Sequence, residues 1–377
     1  MFSISRRSFL KTGVVGIAPA IATARTGLFG PSQGFAKDVP SAPSWKTDVP
    51  AQSGMVPMTF ACGLYDRMVP LATGDVRPEG IDLKFLVIDA PREIFDRMGG
   101  KQEFDASEFS SSEFIARYSA NQCPFVALPA FPSRIFRHGH ITVNRKAGIR
   151  TPKDLEGKRV GVPLYTQTAA IFIRGLLQHD YSVDLSTIRW VQGEMDVAGS
   201  HGSPTVMPLL KPVPIEINQT GKSLSQLIDE GAIDAIIGTG VPASARTNPN
   251  IQRLFPNYHE VERDYYKRTR IFPIMHLVVI RRDVYDKYPF VAKSLYTALC
   301  KSKDMALAKM REGGALRYML PWMRAELDEI EEVFGNDHWP YGVDASRPTL
   351  EALVTYMYEQ NMIAAPIPIE KLFILQG

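Results

Sequence analysis

Three arginines and two histidines carry most of the chemistry this sequence could perform. Arg67, Arg134 and Arg137 bear planar guanidinium forks that match a carboxylate with two parallel hydrogen bonds. His138 and His276 are imidazoles, which gain or lose a proton near neutral pH. Asp66 and Glu108 could orient a phenolic hydroxyl or take its proton. Ser110, Ser111 and Ser112 place hydroxyl donors ahead of an apolar stretch, and Thr166 and Thr168, next to Tyr165, open another. The start of a helix leaves backbone N–H groups unpaired at the positive end of its dipole, which suits a carboxylate. Trp339 and Tyr341 are flat faces on which an aromatic ring could stack. Together these residue types could serve a small anionic ligand.

Each residue also has a structural reading. Arg67 follows the end of a strand, where a ligand contact and an internal ion pair are equally served. Arg134 and Arg137 fall between two predicted strands, where a salt bridge would fix a crossover. His276 enters an apolar strand and would serve as a hydrogen-bonded core histidine. Trp339 and Tyr341 pack cores as readily as ligands, and the serines cap the helix behind them. His138 and His140 could share a strand face, but no acid or cysteine lies near them in sequence, so no metal site is expected.

The elements that must position these groups alternate along the chain, which gives an α/β fold. Strands are predicted at Met58–Gly63, Ile81–Ile88, Phe125–Pro129, Ile141–Asn144, Val160–Val162, Ile233–Ile237 and Ile274–Ile280. Pro91 opens a helix carrying Ile94, Phe95 and Met98 on one face. Thr151-Pro152 starts another, Thr166–Leu177 is helical, and Gly231 ends a short helix from Leu224. Residues 194–214 form a loop rich in Pro and Gly, and after Ile280 the chain is mostly helical. The strand restart near Arg159 and the return through Ile274–Ile280 predict two lobes, 55–145 plus 265–377 around an inserted 150–260. The ligand would lie in the cleft between them.

Composition excludes several classes. With 45% apolar and 22% charged residues the chain is an ordinary globular protein. Its formal charge of +3 includes Arg6, Arg7, Lys11 and Arg25, and residues 1–36 hold no acid, so the remainder is near neutral. Nothing electrostatic calls for nucleic acid. Cys62, Cys123 and Cys300 lie far apart without metal-ligand spacing. There is no phosphate-cradling glycine loop, HExxH, nucleophile elbow or dinucleotide fingerprint, which argues against nucleotide, zinc-protease and serine-hydrolase chemistry.

Ser5-Arg6-Arg7-Ser8-Phe9-Leu10-Lys11 resembles the twin-arginine export motif. A short, weakly apolar stretch follows, with small-residue cleavage sites ending at Ala24 or Ala36. Residues 1–36 are therefore expected to be an export signal and the start of a tether, read by the twin-arginine translocase, and the location periplasmic.

Two resemblances bear on function. Asp154-Leu155-x-Gly157-Lys158-x-Val160-Gly161-Val162 and the run Leu224–Ile237 are similar to type II periplasmic solute-binding proteins of the nitrate, taurine and thiamine-precursor kind. A narrower resemblance is to the 4,5-dihydroxyphthalate decarboxylases. It rests on Tyr65-Asp66-Arg67, Pro78–Leu83, Phe131-Pro132-Ser133-Arg134-x-Phe136-Arg137-His138, Ile271–His276, Leu320-Pro321-Trp322 and Trp339-Pro340-Tyr341-Gly342. It implies a two-lobed binding-protein fold and loss of CO₂ from an aromatic diacid without a cofactor. In that chemistry His138 and His276 are the candidate acids, with Asp66 beside them. Tyr65, Arg67, Glu108, Ser110, Ser111, Arg134, Arg137, Tyr165, Thr166, Thr168, Trp339 and Tyr341 would hold the substrate. The export motif points instead to a binding protein that delivers a carboxylate to the permease of an ABC transporter. Both readings stand at this point.

Overall fold

The apolar and alternating runs become strands because each buries at least one face. The computed structural model describes residues 54–202 and 205–375, which belong to one compact unit. In chain order the first part is β1 (Val56–Cys62), a single turn α1 (Val69–Ala72), β2 (Ile81–Val87), α2 (Pro91–Lys101), β3 (Ala106–Ser110), α3 (Ser111–Ser119) and β4 (Phe125–Arg134). After a turn at His138–His140 come β5 (Ile141–Asn144), β6 (Arg159–Val162), α4 (Thr168–Tyr181), β7 (Arg189–Gln192) and β8 (Ile215–Ile217). Then follow α5 (Leu224–Glu230), β9 (Ala235–Ile237) and β10 (Ile251–Arg253). The chain returns through α6 (Tyr258–Thr269) to β11 (Ile274–Arg281), and α7 (Arg282–Lys287), α8 (Phe290–Arg311), α9 (Met323–Phe334) and α10 (Arg347–Glu359) complete it.

Two mixed sheets result. The first has the order β2-β1-β3-β11-β4, the second β10-β5-β9-β6-β7-β8. Strand β11 runs antiparallel between β3 and β4, so the returning chain is locked into the middle of the first sheet. One assignment from sequence changes. Ile141–Asn144 was expected with the first sheet, but it pairs with β9 and β10 in the second. The crossing lies before it, in the Arg134–His140 segment, and an apolar strand does not announce its partner. The predicted export signal lies outside the described residues. No helix among the described residues is long and apolar enough to cross a membrane.

Helix α4 connects the two halves energetically. Ala169, Ile171 and Phe172 pack in the core of the first sheet, while Ala170, Ile173, Leu176 and Leu177 pack in that of the second. A helix buried nearly all round needs apolar residues on every face, which is how this segment reads. Its close contact with α10 depends on Gly175, where a Cβ would come within 2.2 Å of the Tyr356 ring.

Candidate active site

The strand ends of the first sheet bring one histidine and one glutamate together. Glu108 on β3 and His276 on β11 lie on the same face, since His276 pairs with Ser110 two residues further along β3. His276 Nδ1 is 3.0 Å from Glu108 Oε2. Glu108 is fully buried, and it also accepts the Gly63 N–H at 2.8 Å and the Tyr65 hydroxyl at 3.1 Å. Gly63 leaves room for this arrangement, because a Cβ there would meet the Tyr65 ring at 2.9 Å. Burial alone would push the Glu108 carboxyl up, but the His276 N–H and charge, with the Gly63 and Tyr65 donors, hold it below the usual carboxylate range. Burial and the Glu108 charge push the Tyr65 phenol and the Cys62 thiol well up, so both stay protonated.

That geometry fixes the ring of His276. Its Nδ1 is held by the Glu108 carboxylate, and the Phe95 ring packs edge-on at 4.8 Å to fix the imidazole plane. Its Nε2 makes no hydrogen bond to any described residue, which leaves it for a ligand. Other His–Glu contacts, His179–Glu359 and His201–Glu194, sit among partly exposed side chains, where water screens the pairing.

Beside this pair, two helix N-termini meet. Ser110 caps α3, and its Oγ lies 3.2 Å from Thr168 Oγ1 at the start of α4. Thr168 Oγ1 is 2.9 Å from Ser112 Oγ and accepts the Ser112 N–H at 3.2 Å, while Ser112 Oγ donates to the Thr166 carbonyl at 3.1 Å. The hydroxyls of Ser111 and Thr166 are buried without a partner. Two converging helix dipoles with spare hydroxyl donors favour a carboxylate. The helix expected at Thr166 begins two residues later, because Gln167 is the extended cap residue.

Arg67 crosses the strand ends. It follows β1, and β3 and β11 separate β1 from β4, yet its Nε reaches the Pro132 carbonyl on β4 at 2.6 Å. Its guanidinium lies between the rings of Tyr65 and Trp339, 4.4 and 4.3 Å from their centres. Asp66 accepts from Arg67 Nη1 at 2.8 Å, so this acid is spent on the arginine and does not face His276. Asp66, Arg67 and Trp339 also line a cavity of about 450 Å³ walled by α6, α8 and α9. Neither Glu108 nor His276 lines it, and Arg67 is the link between the two places. On its rim His259, Glu326 and Glu329 bring possible metal ligands together, but Arg263 already pairs with Glu329.

Several residues expected at the site lie elsewhere. Arg134 pairs with Ile274 beside a register shift in β11, so alternation does not set its direction, and its hydrogen bonds hold it at the Phe272 and Pro340 carbonyls. There it donates to the Pro340 carbonyl at 2.7 Å and Ser346 Oγ at 2.6 Å. His138 is buried among Tyr181, Phe255 and Tyr265, with neither ring nitrogen hydrogen-bonded. Burial and Arg268 hold its pKa down to about 4, so it is neutral and no acid at neutral pH. Arg137 is buried at the crossover. Tyr165 packs under the guanidinium of Arg174, 3.7 Å from its ring centre, and Tyr341 packs on Phe131. Two positioning residues were missed, Phe95 and Arg174. The only sign of Arg174 was a lone charge in an apolar helix, and here it donates to Oε1 of Gln360, the C-cap of α10, and to the Tyr165 carbonyl, both at 2.8 Å.

No family model matches the chain. A curated relative from Comamonas testosteroni, a 4,5-dihydroxyphthalate decarboxylase, is 34% identical over 291 residues, 76% of this chain and 86% of the relative. The chain belongs to the 4,5-dihydroxyphthalate decarboxylase family. A second member, from Pseudomonas putida, is 33% identical over 211 residues, 56% of this chain and 81% of its own. Among solved structures the family chain is similar to the periplasmic aliphatic sulphonate binding protein SsuA from Escherichia coli. That match is 10% identical with a TM-score of 0.47, covering 84% of this chain and 97% of that one.

Proposed function

We propose that this chain decarboxylates a 4,5-dihydroxyphthalate-like aromatic diacid, with the Glu108–His276 pair as its acid. The observation that carries the reading is the coupling of His276 to a fully buried, ionised carboxylate. The spectator carboxylate of the diacid rests on the N-termini of α3 and α4, held by the spare hydroxyls of Ser111 and Thr166. The ring carbon bearing the other carboxylate faces His276 Nε2. A hydroxyl para to that carbon supplies electron density, and the Nε2 proton passes to the carbon. The C–C bond to the carboxylate then breaks, its electrons restore the aromatic ring, and CO₂ leaves. Solvent returns a proton to His276. This residue set needs no electron sink beyond the substrate's own ring.

The twin-arginine-like leader supports export to the periplasm, and with it a second reading in which the same site binds a carboxylate for an ABC transporter. Binding requires the helix N-termini but not the Glu108–His276 pair. Purified protein mixed with 4,5-dihydroxyphthalate separates the two, by following CO₂ release and thermal stability together. Catalytic release of CO₂ supports the decarboxylase. Stabilisation without CO₂ over hours supports the binder.

A further inference from the structure

Two chain segments cross between the sheets, and a cavity of about 390 Å³ lies between them. Its walls come from the two crossings alone. Arg134, Phe136 and His140 belong to the outward crossing from β4 to β5, while Arg253, Glu262 and Phe272 belong to the return from β10 through α6 to β11.

The polar atoms here are short of partners. Arg134 is 5% exposed and lines the cavity, and its Nε has no hydrogen bond. His140 Nδ1 is likewise buried without a partner. Arg253 spends its Nε on the Gly139 carbonyl at 2.9 Å, which leaves its two terminal nitrogens. Arg137, next along the outward crossing, is 4% exposed with Nε and Nη1 unpartnered. The opposing acid is Glu262, which accepts the Gly139 N–H at 3.1 Å and lies 4.0 Å from His138 Nδ1. With two arginines and one glutamate in its wall, the cavity carries one uncompensated positive charge. Arg253 is exposed at the rim, whereas Arg134 is a buried cation whose terminal nitrogens reach only neutral oxygens, so an anion that accepts its free Nε–H would offset the cost of burying that charge. Phe136 and Phe272, stacked with ring centres 4.6 Å apart, give the cavity an apolar, planar side.

We propose that this cavity is a second binding site, separate from the Glu108–His276 site, for a small monoanionic carboxylate with a planar apolar body. The carboxylate meets Arg134 Nε and Arg253 beside the His140 ring, and the apolar body lies along Phe136 and Phe272. An occupant touches both crossings at once and so ties the two sheets together at their junction.

Benzoate is the probe. The full chain, with its histidine rings isotopically labelled, is titrated with benzoate and followed by NMR at the His140 signal, which a His140→Gln variant identifies. Saturable movement of that signal is expected in the wild type, with the apparent Kd raised at least about tenfold in Arg253→Met. Thermal unfolding confirms that the variant is folded. If Arg253→Met unfolds, Arg253→Lys is used instead, since it keeps the charge but loses the fork and is expected to weaken binding less. A His140 signal that does not respond to benzoate overturns the proposal. So does a response of equal affinity in folded wild type and both Arg253 variants.

Discussion

At the scale of single residues, Glu108 matters for its charge more than for its shape. Glutamine would keep one acceptor oxygen but would remove the negative charge that faces His276 Nδ1. Glu108→Gln is therefore expected to lower the decarboxylation rate by about 10²–10⁴-fold. It should also cost about 1–3 kcal/mol of stability, measurable by denaturant unfolding, because the groups that meet Glu108 Oε2, the Tyr65 hydroxyl and His276 Nδ1, face an amide NH2 in its place. His138 makes a different prediction. Its pKa of about 4 lies below the ordinary 6.5 that the unfolded chain would show. Between those values the unfolded state binds more protons, so stability is complete above about pH 6.5 and falls as the pH drops towards 4. Replacing His138 by phenylalanine should flatten that fall by up to a few kcal/mol in unfolding curves across the window. An unchanged slope would mean that His138 is not held neutral by burial.

At the scale of elements, much of the fold was legible and the site only partly so. Alternating and apolar runs mark strands because the pleat has period two, and Thr151, Pro91 and Gly231 mark helix ends through caps that act locally. Tyr65, Arg67, Glu108, Ser110, Thr168 and His276 could be proposed because strand ends and helix starts are where such folds present side chains, and the structure brings them close together. Arg134, Arg137 and His138 misled, since a motif gives the order of residues and not the face on which each emerges. The partner of β5 and the role of Arg174 depend on contacts between residues far apart in sequence. Helix α4 offers a direct check of its packing. Gly175→Ala drives a Cβ into the Tyr356 ring and is expected to destabilise the protein by about 1–3 kcal/mol. An alanine tolerated without loss in thermal unfolding would show that α4 and α10 can move apart freely.

At the scale of the whole molecule, the proposed chemistry needs both halves. The first sheet supplies Glu108, His276 and Ser110, and the loop leading out of the second supplies Thr166, with Thr168 opening α4 behind it. Arg174 holds that loop by donating to the Tyr165 carbonyl while also donating to Gln360. Arg174→Met should raise KM for the diacid by about tenfold or more while changing kcat less, since it disturbs the carboxylate cradle and leaves the acid in place. A fall confined to kcat would contradict that role. The most direct test concerns His276 itself. His276→Gln is assayed for CO₂ release from 4,5-dihydroxyphthalate while binding of the diacid is measured separately by calorimetry. The expected result is a kcat lower by at least about 10²–10⁴-fold with a Kd within a few-fold of wild type. A His276→Gln variant that still releases CO₂ at the wild-type rate would contradict the assignment of this histidine as the acid.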